Sequence, residues 1–305
     1  MMAYEYTKNP RHYFSEPIQR ALVEIRSRRM DALARLHELA IEARPTQEER
    51  RQLRALHGEA FHVDIAAAKN LARRYHDRVV GLIRRTELVS FANHLTPVES
   101  VPEPRAADFW WAQTHSFGGG GISPEALPDG LHIFGRASYN GDALFPFSTG
   151  AWATFELQPE RRPHSPLGRW HSSPQVELFG NLIGSTGAAH AFDFDDRWCK
   201  VFLLLRQSAI QFVDDVGTWR LCGERTAHCT LIDEENEGDV VVRRLPGFQP
   251  MPSLQLSLFR SDRSVLIDLE VRFDVQLEGE SAVSFGSTAA DSVLLRYYQW
   301  PCVAA

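Results

Sequence analysis

The sequence predicts an α+β fold with segregated parts, an N-terminal antiparallel helical hairpin followed by an antiparallel β-sandwich of jelly-roll type. Three observations predict it. Apolar residues recur at helical spacing within residues 18–94, prolines cluster within residues 97–104, and short apolar or alternating runs occupy the remainder. We therefore divide the chain into a helical hairpin over 1–96, a proline-rich linker over 97–104, and a sandwich over 105–305.

The first predicted helix begins at Ser15-Glu16-Pro17, because proline is tolerated in the first turn of a helix. Apolar residues such as Leu22, Ile25 and Leu36 then recur at steps of three and four. Arg29 occupies one slot of this apolar stripe. The pattern predicts a helix of roughly 26 residues that ends before Pro45.

A second helix is predicted over about 47–93, since Thr46 and Glu49 have the spacing of a capping box. Two helices joined by a tight turn form an antiparallel hairpin, which buries only one seam. A second apolar surface is then needed, from a partner chain or from the following domain. We expect a homo-oligomer or larger assembly held by coiled-coil-like contacts of residues 18–94.

The second part of the chain has the side-chain period of β-strands. Apolar and polar residues alternate almost perfectly from Leu266 to Val275, which predicts a strand with one buried face and one wet face. Asp129-Gly130 and Asn140-Gly141 are strong turn pairs. About ten such strands without an intervening helix pattern indicate an antiparallel sandwich or jelly roll.

Composition and charge exclude several classes of protein. The 305 residues are 44% hydrophobic and 24% charged, which is typical of a globular chain. Residues 1–100 hold 17 basic and 13 acidic side chains, and residues 101–305 hold 16 and 26. This balance is too weakly basic for a nucleic-acid-binding domain.

No apolar run is long enough for a membrane span, and the N-terminus lacks the pattern of a secretory signal. The four cysteines are too sparse to indicate a disulfide framework. We therefore expect a cytoplasmic protein of bacterial type, with non-classical export as the alternative.

The densest group of ligand-type residues lies within residues 190–196. Asp193 and Asp195 would share one face of a strand, where their carboxylates could hold a hard cation. The simpler interpretation is a polar loop, so we predict no cofactor and keep a divalent cation as the alternative. The candidate metal ligands are His190, Asp193, Asp195 and Asp196.

A long basic loop, rich in proline, is the best candidate for a recognition surface. Its prolines restrict the backbone, and arginine and tryptophan are common in binding hot spots. Because the surrounding half of the chain is acidic, the loop would attract an acidic partner locally. The alternative is an ordered loop whose arginines pair internally. The candidate binding residues are Arg161, Arg162, His164, Arg169, Trp170 and His171.

Function follows only coarsely from these patterns. The sequence has no phosphate-binding loop, no nucleophile elbow and no dinucleotide fingerprint. We therefore predict a non-enzymatic binding or assembly protein, in which the hairpin associates and the sandwich recognises a partner. One alternative is a metal-dependent enzyme using the four candidate ligands. The other is a carbohydrate-binding module, because all seven tryptophans lie in the second part.

Overall fold

The computed structural model places most of the chain after residue 120 in β-strands and residues 16–42 in a helix. It describes residues 6–7, 16–42, 110–112, 121–127, 130–187, 197–214, 218–235, 238–245, 247–299 and 302–304.

The described elements are one α-helix, two 3₁₀ turns and fifteen strands. Helix α1 spans Glu16–Glu42, and the 3₁₀ turns are Pro159–Arg161 and Ala289–Asp291. The strands are β1 Tyr6–Thr7, β2 Trp110–Ala112, β3 Ile122–Leu127, β4 Gly130–Leu157, β5 Arg169–Ser172, β6 Gln175–Phe179, β7 Asn181–Thr186, β8 Trp198–Phe212, β9 Trp219–Glu235, β10 Val240–Arg244, β11 Gly247–Pro250, β12 Leu254–Ser257, β13 Val265–Ser284, β14 Val293–Gln299 and β15 Cys302–Ala304.

Strand β13 lies at the centre of the larger sheet. It pairs with β4 along nearly its whole length, and on its other side with β8 and then β7. Strand β9 extends the sheet beyond β8, and β10 extends it beyond β7. Every one of these pairs is antiparallel, so the predicted antiparallel β-sandwich is confirmed.

Strand β4 belongs to two layers of the sandwich. Its first residues pair with β3 and β14, and the rest of the strand pairs with β13. The register shifts between Leu277 and Gly279 of β13, opposite residues 142–144 of β4. Asn140 and Gly141, just before this bulge, are paired with Glu280 and Gly279, so the turn predicted there is a stretch of strand that leads into a bulge. Strands β3 and β4 are paired with Leu127 opposite Gly130, so Gly130 already lies in β4. Residues 128–129 lie outside the described residues, and the turn expected at Asp129-Gly130 stays a prediction.

The main core lies between the large sheet and the strands that face it. One face of β13 contributes alternate apolar side chains such as Leu269 and Phe273, both buried. They belong to a cluster that includes Trp170 of β5, Val176 of β6 and residues of β12 and β14. Close packing of two sheet faces explains why these residues are apolar.

The predicted helical hairpin is wrong. The described residues contain a single α-helix, and its apolar stripe packs on the sheet instead of on a second helix. Leu22 and Ile25 contact Ile210 and Leu266 of the sheet. An apolar stripe shows that a helix face is buried but carries no information about what covers it. The predicted second helix lies outside the described residues.

The predicted start of α1 is confirmed at Glu16. Within the described residues, no helix has the length and apolar character required to cross a membrane. The division at the proline-rich stretch 97–104 also falls outside the described residues and stays a prediction.

The second face of β13 is not wet. Asp268, Glu270, Arg272 and Asp274 alternate with the apolar residues as predicted, yet all four are buried. Helix α1 lies over this face, as the contacts of Arg26 and Arg29 with Asp268 show. The expectation of a solvated face fails because alternation separates polar from apolar side chains without showing whether the polar side meets water.

Candidate functional site

The predicted recognition loop connects β4 to β5 on the surface of the sandwich. It begins with the 3₁₀ turn Pro159–Arg161 and ends where Arg169 enters β5. The backbone N–H of Arg169 donates to Ser165 Oγ at 3.0 Å, and that of Gly168 donates to the Ser165 carbonyl at 3.2 Å. These bonds give the loop a defined turn with Leu167 at its tip, 70% exposed.

Arg162 and Trp170 form the rigid base of this loop. Trp170 is buried in the main core, and its indole N–H donates to the Pro163 carbonyl at 2.8 Å. The Arg162 guanidinium lies 5.5 Å from the centre of the indole ring and donates to the Ser261 carbonyl at 2.6 Å. These two predicted binding residues therefore hold the loop against a second loop, 258–264.

The other candidate binding residues have different positions. His164 and Arg169 are exposed, and His171 is half-buried in β5. Arg161 lies in the 3₁₀ turn, and its side chain is outside what the structure describes. Of the predicted binding residues whose side chains the structure describes, His164 and Arg169 are the exposed ones; whether they bind a partner stays a prediction.

The loop 258–264 brings further groups to the same end of the sandwich. The buried Gln211 side chain holds its backbone, accepting from the N–H groups of Phe259 and Arg260, both at 2.9 Å. The same amide donates to the Arg260 carbonyl at 2.6 Å. It also donates to the Arg263 carbonyl at 3.2 Å. A buried amide with four backbone bonds fixes the loop relative to β8. We call five exposed residues of the two loops and of adjoining strands β5 and β9 the end surface: His164, Arg169, Arg220, Phe259 and Arg260.

Phe259 is the exposed aromatic ring of the end surface. Its side chain is 48% exposed, and the Arg220 guanidinium lies 5.5 Å from the ring centre. Arg260 forms a bidentate ion pair with Asp262, in which Nε donates to Oδ1 at 2.9 Å and Nη2 donates to Oδ2 at 2.8 Å. Hydrogen bonds from Arg260 lower the pKa of Asp262 to about 2. The surface thus combines an aromatic face with planar charged groups.

Sequence reasoning missed Phe259, Arg220 and Arg260. The signal was a short polar stretch, Arg260 to Ser264, that separates two strand patterns and directly follows an aromatic residue. Its proximity to the loop 161–171 depends on pairing of β5 with β12, which joins Arg169 to Ser257. Pairing between strands more than 80 residues apart in the sequence leaves no local pattern to read.

All four predicted metal ligands, His190, Asp193, Asp195 and Asp196, lie outside the described residues, so the divalent cation stays a prediction. Among the residues that are described, no three histidine, cysteine or acidic side chains come close enough to hold a metal ion. Asp233, within β9, pairs with the buried Lys200 of β8 at 2.6 Å.

The polar face of β13 holds a group of buried, paired charges. Asp268 receives Arg26 at 3.0 Å and Arg29 at 2.7 Å. The Thr154 hydroxyl donates to the same carboxylate at 2.6 Å. Arg29 also contacts Glu224 of β9 at 3.1 Å. Arg26 also donates to Thr154 Oγ1 at 2.7 Å, and Arg29 donates to Ser208 Oγ at 2.5 Å. The two arginines of α1 are thereby bound to four strands, β4, β8, β9 and β13.

The same pattern continues along the strand. Arg272 donates to Glu270 at 3.0 Å and to Asp274 at 2.7 Å. Burial alone would raise the pKa of Glu270, but Arg206, Arg272 and Arg29 outweigh it and lower the pKa to about 2. The pKa of Arg29 is raised, since the attraction of Asp268 and its neighbours exceeds the cost of burial.

His37 lies near the far end of the same face. Its ring Nε2 is 3.2 Å from the Ser148 hydroxyl, which donates to Asp274 at 2.6 Å. Burial lowers the pKa of His37 to about 4, although Asp274 acts in the opposite direction. The groups on this face pair with one another beneath α1, so we interpret it as the docking surface of the helix and not as a site open to a ligand.

Comparison with known proteins finds no matching family model and no matching curated protein. Solved structures give only distant likenesses. The carbohydrate-binding module TmCBM61, in complex with β-1,4-galactotriose, has a TM-score of 0.19 and 8% identity, over 64% of this chain and 88% of its own. The family 11 carbohydrate-binding module of a Clostridium thermocellum cellulosomal cellulase has a TM-score of 0.19 and 11% identity, over 64% and 97%.

A third likeness is to the enzymatically active domain of tailspike protein 4 of bacteriophage CBA120. Its TM-score is 0.18 and its identity 8%, over 64% of this chain and 20% of that one. Values this low carry no conclusion about the fold or the activity of the present chain.

Proposed function

We propose that this chain is a non-enzymatic binding protein whose β-sandwich binds an acidic oligosaccharide at the end surface. The observation that carries the proposal is the half-exposed ring of Phe259 beside the Arg220 guanidinium, on a loop that buried Gln211 holds in place. It keeps the predicted sandwich as the recognition element and gives the predicted acidic partner a chemical class.

The chemistry of this surface suits an acidic sugar. A pyranose ring presents an apolar C–H face that packs on an aromatic ring, and its hydroxyl groups bond to planar polar side chains. The guanidinium group binds carboxylates through paired N–H donors. Arg169 and Arg220 would therefore meet the uronate or sulfate groups of such a chain.

A pre-formed surface favours binding because little entropy is lost when the ligand arrives. Arg162 and Trp170 support the first loop, and Gln211 supports the second. Substitution of these three would disturb the loops themselves, so the test uses exposed residues instead.

The test is calorimetric titration of the full chain with oligogalacturonate and with an uncharged oligosaccharide of equal length. We expect the acidic chain to bind more tightly and its affinity to fall as salt rises. Phe259→Ala and Arg220→Met should each weaken binding by about tenfold, the loss of one ring stack or one charged contact.

Phe179→Ala is the matched control, because Phe179 is an aromatic residue of similar exposure, 40%, on β6. It should bind as the parent protein does. The proposal is contradicted if the acidic chain does not bind, or if Phe259→Ala and Phe179→Ala have equal effects.

A further inference from the structure

Among the strands that the structure describes, β10 is at an edge of the larger sheet. It pairs with β7 through all five of its residues, and no second partner strand is found among the described elements. Val240 and Val242 are 66% and 60% exposed, and Ile183 of β7, directly opposite Val242, is also exposed. An apolar strand at an open edge readily accepts another extended chain.

The hydrogen bonds to β7 show which backbone groups of β10 face outward. Thr186 N–H donates to the Asp239 carbonyl, and Leu245 N–H donates to the Gly180 carbonyl. In an antiparallel ladder, hydrogen-bonded pairs alternate with non-bonded ones. The odd-numbered residues 239–245 therefore face β7, while Val240, Val242 and Arg244 direct their N–H and C=O groups to the open edge.

This alternation restricts how a second copy of β10 could pair. In an antiparallel pair, outward-facing residues must lie opposite outward-facing residues. Even-numbered residues must then face even-numbered residues of the other copy. Among these registers, one is centred on Val241, with Val240 opposite Val242 of the second copy.

The charges of the strand select the register centred on Val241. There Asp239 lies opposite Arg243 of the second copy, and the two-fold axis repeats this pair. Both charged side chains can reach a second copy, since Asp239 and Arg243 are exposed. Val241, at the two-fold axis, is half-buried. A shift by two residues centres the pair on Val242 or Val240, and both shifts separate Asp239 from Arg243. The sequence Asp-Val-Val-Val-Arg is thus self-complementary when antiparallel.

We propose that the chain forms a two-fold symmetric homodimer by antiparallel pairing of β10 with β10 of a second copy. The dimer joins the two larger sheets into one continuous sheet. Val240 and Val242 of each copy then pack against those of the other copy and, together with Ile183, are shielded from water. This surface is distinct from the end surface, and the inference does not depend on the proposed sugar ligand. A pair of five-residue strands is a small interface, so we expect a dissociation constant of about 10–100 µM.

The test is sedimentation of the full-length chain across a concentration range that brackets this value. Asp239→Arg places like charges opposite each other twice, and so does Arg243→Asp. Each single variant should weaken dimerisation by about tenfold or more. An equimolar mixture of the two should associate again, because both cross-strand pairs of the mixed dimer have opposite charges.

Two further variants separate edge pairing from general charge effects. Val242→Pro removes only an N–H that faces the open edge, so it should prevent pairing while the fold is kept. Arg225→Asp makes the same change of charge at an exposed position of β9 and should leave the dimer intact. Circular dichroism confirms that each variant is folded.

The result expected is a wild-type dimer, weakened singly and restored by the mixture. A wild-type chain that stays monomeric throughout would overturn the proposal and leave the edge to an extended segment of another protein. A dimer that neither charge reversal nor Val242→Pro affects would overturn it as well, by placing the interface elsewhere.

Discussion

At the scale of single residues, Asp268 joins helix α1 to the sheet. Its carboxylate receives two guanidinium groups and one hydroxyl group, all from other elements. Arg26 is fully buried, at 0% exposure, within the apolar stripe of α1. Burying a charge without its partner costs several kcal/mol of folding free energy. The stabilities of Asp268, Arg26 and Arg29 in their buried positions therefore depend on one another.

We predict that Asp268→Ala lowers the free energy of unfolding by about 3–5 kcal/mol, because it leaves buried Arg26 without this counter-charge. Urea denaturation measures the change. Asp262→Ala is the control, since it also removes an arginine-bound carboxylate but at an exposed position. The control should remain close to the parent protein. Equal losses in both variants would contradict the interpretation.

At the scale of elements, helix α1 and strand β13 are two halves of one packing unit. The spacing of Leu22, Ile25 and Leu36 predicted the helix, and the alternation from Leu266 predicted the strand, and both elements are confirmed. The sequence did not predict that the buried face of α1 packs on the polar face of β13. Arg29 in the stripe was the available signal, because a charged residue on a buried helix face requires a charged partner.

Docking of α1 is expected to depend on pH through His37. Its pKa of about 4 in the folded state lies below the ordinary value of 6.5, because burial disfavours the charged ring. Between these values the unfolded chain binds more protons than the folded one. The free energy of unfolding therefore falls as pH is lowered from about 6.5 to about 4.

Chemical denaturation at a series of pH values checks this, with His37→Gln as the variant. The variant should lose part of the slope between pH 6.5 and 4. His164→Gln, at an exposed position of the loop 161–171, should keep the slope of the parent protein. The role assigned to His37 is wrong if the two variants have the same pH profile.

At the scale of the whole molecule, the helix completes the sandwich. Sheet packing buries the apolar face of β13, and α1 covers the charged face of the same strand. Without α1, the charged face of β13 would be exposed to water, and the apolar stripe of α1 would be exposed as well. The division of the chain at 97–104 stays a prediction, but the described helix is not an independent association unit.

A fragment of residues 105–305 is therefore expected to unfold at a lower urea concentration than the full chain. It lacks Arg26 and Arg29, so the carboxylates of Asp268 and Glu270 lose their partners from the helix. A synthetic peptide of residues 16–42 should raise the midpoint when added in excess, because binding to the folded state stabilises it. A fragment as stable as the full chain, and indifferent to the peptide, would contradict this expectation.

The sequence by itself determined the start of α1 at Glu16, the strand around Leu269 and the antiparallel sandwich. These follow from the periodicity of apolar side chains, which acts between near neighbours. Tertiary structure decided what covers each face. It placed α1 on the charged face of β13, brought Phe259 to the loop 161–171, and left β10 at an edge. These outcomes depend on pairing between residues far apart in the chain, so no local pattern encodes them.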